Sequence, residues 1–106
     1  MEQLGRAQRR AFIEDAVRLR SLRPQVRAFA EAMEAQLRAN DHKGGWQECS
    51  LAYLYGRVAE ELEELSAETD RAERDTAAVR REAADVAAFV MMIADVCGAL
   101  TEPRNG

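Results

Sequence analysis

The sequence predicts an all-α protein: alanine, leucine, glutamate and arginine dominate its 106 residues, only two prolines interrupt them, and apolar residues recur at spacings of three and four. A chain of this length has room for one domain, residues 1–106, with a modest core. Packing against other chains is then a natural source of further burial.

The first helix is predicted from Gly5 to Leu22, within an N-terminal segment 1–23, with Leu4, Phe12, Ala16 and Leu19 among its apolar positions. It stops before Pro24, which suits the first turn of a second helix carrying Val26, Phe29, Met33 and Leu37 on one side. That helix ends at Asn40, ahead of the polar, glycine-containing loop Asp41 to Trp46. Ser50 is the expected N-cap of a third helix reaching Thr69, with Leu51, Leu54, Val58, Leu62 and Leu65 as its core stripe.

A polar stretch, Thr69 to Thr76, leads to a fourth helix expected to continue to Leu100. From Ala83 to Ala99 this helix is apolar on nearly every side, a pattern that calls for burial all round. Three other helices of so short a chain can hardly surround it. The expected architecture is therefore a bundle of about four helices completed by a homodimer or tetramer, with residues 101–106 as a flexible tail.

Charge and composition exclude several roles. No stretch approaches the roughly 20 apolar residues that span a bilayer, and no apolar signal sequence opens the chain, so the expectation is a cytoplasmic protein with no membrane partner. Cys49 and Cys97 have neither zinc-site spacing nor disulfide density. The net charge of −4 is uneven, with seven arginines against three acids in residues 1–30 and eight bases against sixteen acids thereafter. Such an acidic body disfavours stable nucleic-acid binding.

The chemistry lies in the acids. Glu61 and Glu64 on the third helix, and Glu82 and Asp85 on the fourth, are each three residues apart, so each pair shares a helix face and can converge on one cation. Glu60, Glu63, Glu68, Asp70, Glu73 and Asp75 suit a solvated surface. Glu82 does not, because it falls within the stripe of Val86, Phe89, Ile93, Val96 and Leu100. A carboxylate there needs an arginine, a shared proton or a metal ion. Oxygen ligands without His or Cys favour Mg²⁺, or Mn²⁺, over Zn²⁺, although a structural ion-pair network would produce the same residue pattern.

The run Glu60 to Leu65 followed by Glu82 to Val86 resembles the ExxE and ExxD signature of the MazG-like, all-α nucleoside triphosphate pyrophosphatase superfamily, with 17 residues between the motifs. Asn40 to Trp46 and the run Asp85 to Asp95 extend the resemblance over residues 29–97. The resemblance implies a helical dimer or dimer of dimers with Glu61, Glu64, Glu82 and Asp85 as Mg²⁺ ligands. It also implies hydrolysis of nucleoside triphosphates to monophosphate and pyrophosphate in nucleotide-pool housecleaning.

Within that implication Glu61 or Glu64 is a candidate general base for the attacking water. Lys43 is a candidate phosphate contact and Trp46 a candidate base-stacking surface, while Gly44 and Gly45 would permit close backbone approach. The plain alternative makes this loop an interhelical turn with Trp46 in the core. Asp95 also stands out in its apolar surroundings, as a pocket-lining or interface residue.

The sequence departs in one respect from many members of the superfamily, since no basic residue follows Asp85 until Arg104, and phosphate contacts fall to Lys43, Arg57, Arg80 or Arg81, or to a neighbouring subunit. Two other readings stand beside the enzymatic one: a non-catalytic helical interaction module, and the same superfamily acting on another substrate such as phosphoribosyl-ATP.

Overall fold

The computed structural model describes residues 5–101, and these form four α-helices and no strand. Helix α1 spans Arg6–Arg20, α2 Pro24–Ala39, α3 Leu51–Thr69 and α4 Thr76–Val96, with a 3-10 turn at Asp41–Lys43. Leu4 and residues 102–106, most of the expected tail, lie outside the described residues. No helix among the described residues is long and apolar enough to cross a membrane.

Local chemistry sets the boundaries. Gln8 reaches back to accept from the Gly5 backbone N–H at 2.8 Å, opening α1, and Pro24 occupies the first turn of α2. The Ser50 hydroxyl accepts from the Tyr53 N–H at 3.1 Å, capping α3 as expected. Asp75 caps α4 through the N–H groups of Ala77 and Ala78.

Helix α4 ends at Val96, short of the expected Leu100, because Gly98 takes a left-handed φ of 76°. The N–H of Ala99 then reaches the Ala94 carbonyl and that of Gly98 the Asp95 carbonyl, a Schellman closure whose left-handed position favours glycine.

The connection 70–75 folds α4 back along α3, its most extensive partner, and α2 packs on α4. Leu54 of α3 is fully buried, and Ala78, Ala84 and Ala88 of α4 are buried as well. Small alanines spaced by one turn, such as 84 and 88, let neighbouring helices come close to the α4 backbone. The expected α3 stripe is only partly core: Leu51 and Leu62 remain 41% and 49% exposed. Helix α1 buries no residue and packs along none of the other helices. The radius of gyration, 17.3 Å, accordingly exceeds the roughly 13 Å of a compact domain of about 100 residues.

Candidate functional site

The pairing of α3 with α4 brings the two predicted acidic motifs together. Glu61, Glu64 and Glu82 each place a carboxylate oxygen within 4.8 Å of the other two. Glu61 is 5% exposed, Glu82 is half-buried, and Glu64 faces solvent, the position its place farther round α3 requires. Asp85 lies outside this tight group but beside it, and its Oδ1 accepts from Gln36 Nε2 of α2 at 2.8 Å. Gln36 thereby orients the fourth predicted carboxylate from a third helix.

Partners for the acids are few. Arg57, one turn before Glu61, donates from Nη2 to Glu61 Oε1 at 2.8 Å and also pairs with Glu60. Its guanidinium lies over the Phe89 ring, 5.1 Å from the centroid, which fixes the arginine against α4. No donor reaches Glu61 Oε2 or Glu82 Oε2, both buried. An ionised carboxylate can only accept, so the facing oxygens of Glu61, Glu64 and Glu82 cannot satisfy one another without a shared proton or a cation.

The protonation equilibria follow from this crowding. Burial is the main cause that raises the Glu61 carboxyl to about 7, reinforced by hydrogen-bond contact with Glu64 and by the charges of Glu64 and Asp85, with Arg57 opposing. Glu82 is raised as well, by burial first, then by Glu64 and Asp85, with Arg81 opposing. A hard divalent cation fits this donor set: it would satisfy both orphaned oxygens and remove the repulsion among the acids.

Beside the acids opens a cleft of about 490 Å³, lined among others by Glu61 and Asp85 and by Lys43, Gly44, Gly45 and Trp46. The loop holding Lys43 and Trp46 takes its course from Gly44, whose φ of 93° closes the 3-10 turn in a conformation that favours glycine. Trp46 is half-buried, with its indole Nε1–H donating to Asp95 Oδ2 at 2.8 Å. Asp95, conspicuous in the sequence, thus anchors the tryptophan.

Among the predicted phosphate contacts, Lys43 lines the cleft and is exposed, Arg57 lines it but is engaged with Glu60 and Glu61, and Arg80 and Arg81 are not among its lining residues. Gln36, Tyr53 and Phe89 also line the cleft and were not anticipated. Gln36 and Asp85 are 49 positions apart, and no local pattern in the chain announces such a contact.

Fold and site together define an all-helical protein with an acidic cluster between two antiparallel helices and a half-polar cleft alongside. Comparison with known proteins extends this no further: no family model matches the chain, and neither a curated protein nor a solved structure matches it significantly.

Proposed function

We propose that the chain is a Mg²⁺-dependent nucleoside triphosphate pyrophosphohydrolase of the MazG-like kind. The observation that carries the reading is the pair of buried, unpartnered oxygens, Glu61 Oε2 and Glu82 Oε2, inside a three-carboxylate cluster that opens on a cleft. A structural ion-pair network would not leave them orphaned, since buried acceptors without partners cost about 1–3 kcal/mol each.

In this reading Glu61, Glu64 and Glu82 hold Mg²⁺, or Mn²⁺, with Asp85 completing the set from its position on Gln36. The ion supplies neutralisation of the phosphate charge and acidification of the attacking water. Lys43 offers the triphosphate a mobile positive charge, and Trp46, held by Asp95, offers a ring face to the base. Arg57 anchors Glu61, leaving its second oxygen directed to the cluster. Water oxygen adds to the α-phosphorus, the bond from that phosphorus to the α,β-bridging oxygen breaks, and pyrophosphate leaves with the bridging oxygen. Glu61 or Glu64 is the carboxylate placed to take the water's proton.

A panel of ribo- and deoxynucleoside triphosphates, assayed for pyrophosphate release with and without Mg²⁺, tests this reading. The expected result is Mg²⁺-dependent release that Glu61→Gln and Glu82→Gln each reduce by at least a hundredfold. Activity insensitive to both substitutions, or none with any nucleotide, contradicts it.

A further inference from the structure

Two of the four acids are each held at one oxygen. Arg57 Nη2 donates to Glu61 Oε1 at 2.8 Å, and Glu61 Oε2 lies buried without a donor in a residue only 5% exposed. Gln36 Nε2 donates to Asp85 Oδ1 at 2.8 Å, which leaves Oδ2 as the oxygen open to an ion. The orphaned oxygen of so deeply buried a glutamate is what marks a ligand here, a demand that an acidic cluster alone does not make.

Each donor is itself fixed. The Arg57 guanidinium rests over the Phe89 ring of α4, 5.1 Å from its centroid, and also pairs with Glu60. Gln36 stands in the last turn of α2, where its carbonyl accepts from Asn40 Nδ2 at 2.9 Å, and α2 packs on α4. The Gln36 amide must present nitrogen to Asp85, because its oxygen would repel the carboxylate. An amide also carries no charge, so the full negative charge of Asp85 stays available to a cation, which a lysine or arginine in its place would offset.

The number of oxygens that a carboxylate offers separates the hard cations. Mg²⁺ demands near-octahedral geometry at about 2.1 Å, and the two oxygens of one carboxylate lie closer together than the roughly 3 Å between neighbouring corners of such an octahedron. Ca²⁺ takes roughly six to eight oxygens at longer distances and accepts both oxygens of one carboxylate. A donor fixed at one oxygen opposes that chelation and leaves ligation through the other. Resting on the reading that the cluster holds a divalent cation, we infer that Gln36 is a positioning residue which, with Arg57, confines Asp85 and Glu61 to one ligating oxygen each and so biases the site toward Mg²⁺ and against Ca²⁺.

The melting temperature of the full chain, followed against Mg²⁺ or Ca²⁺ concentration with no nucleotide present, gives a dissociation constant for each ion. Gln36→Met keeps the length of the side chain and deletes the donor. Gln36→Asn keeps an amide but draws it back by one methylene, and it takes the place of Gln36→Met if that variant loses its helical circular dichroism. The expected result is Mg²⁺ binding weakened about tenfold, the lower end of what partners of metal ligands contribute, while Ca²⁺ binding holds or tightens and the ratio of Ca²⁺ to Mg²⁺ affinity rises accordingly. A merely structural glutamine moves both constants together, so a ratio that stays unchanged or falls overturns the inference. That outcome leaves the pyrophosphohydrolase reading standing, since pyrophosphate release from nucleotides decides it separately. Failure of the unaltered chain to bind either ion overturns both.

Discussion

The indole N–H of Trp46 donates to Asp95 at 2.8 Å, joining the loop ahead of α3 to the last turn of α4 across 49 residues of sequence. Trp46 is the only tryptophan, so tryptophan fluorescence reports the surroundings of this one indole. Asp95→Ala should shift the emission to the red and increase quenching by iodide, with a stability loss of about 1.5–3 kcal/mol for a hydrogen bond to a charged group. Unchanged emission and quenching would mean that the indole is held by packing and that Asp95 has another role.

The same ring is the proposed stacking face for the base. Trp46→Ala should weaken nucleotide binding by about 1–3 kcal/mol, by analogy with other aromatic stacking platforms. Trp46→Phe keeps an aromatic face while deleting the donor, so it should weaken binding less. Calorimetric titration with a non-hydrolysable triphosphate measures both, and equal losses for the two variants would remove stacking from the account.

Crowding of the carboxylates makes stability depend on pH in a defined direction. The Glu61 carboxyl is raised from 4.5 to about 7 in the folded chain, so the folded state binds more protons than the unfolded state between those values. Its contribution to stability is fully present below about 4.5 and is lost as the pH rises through about 7. The metal-free protein should therefore melt at a lower temperature at pH 8 than at pH 5.5. Glu61→Gln should flatten that slope, while a slope of the opposite sign that Glu61→Gln leaves intact would contradict the electrostatics described.

Magnesium should act in the complementary range. At pH 8 a hundredfold excess over its dissociation constant should stabilise the fold by about 2.7 kcal/mol. Glu82→Gln should leave the metal-free protein as stable as before or more so, and should abolish the Mg²⁺ response. A salt-bridged, structural Glu82 predicts the reverse: destabilisation without Mg²⁺ and no response to it in either protein. Melting curves at matched ionic strength separate the two.

Leu54 is the one large side chain sealed entirely within the described residues. Its truncation to alanine should cost about 2–5 kcal/mol through lost transfer energy and the cavity left behind. Denaturant titration followed by circular dichroism reads that loss directly. A cost below about 1 kcal/mol would place the stabilising core elsewhere, in contacts between copies.

Much of the helical plan was legible because its signals are local. Pro24 and Ser50 marked helix starts, and the i, i+3 spacing of Glu61 with Glu64 placed them on one turn. The stop of α4 was misjudged by four residues because its apolar run continues to Leu100, while the left-handed Gly98 that breaks the helix carries little weight in a hydrophobic pattern. Long-range pairings were hidden for a different reason. Gln36 with Asp85 and Trp46 with Asp95 depend on how α2 and the loop dock on α4, which no window of sequence reveals. Leu51 and Leu62 matched a core stripe that a single chain covers only in part, since periodicity tells which face is apolar and not what lies against it.

The central claim concerns where water attacks, and isotope labelling answers it. The protein, a deoxynucleoside triphosphate and Mg²⁺ are incubated in ¹⁸O-water, and the products are weighed by mass spectrometry. Attack at the α-phosphorus predicts one ¹⁸O in the nucleoside monophosphate and none in the pyrophosphate. Label appearing only in inorganic phosphate would mean attack at the γ-phosphorus and would contradict the assignment of this site.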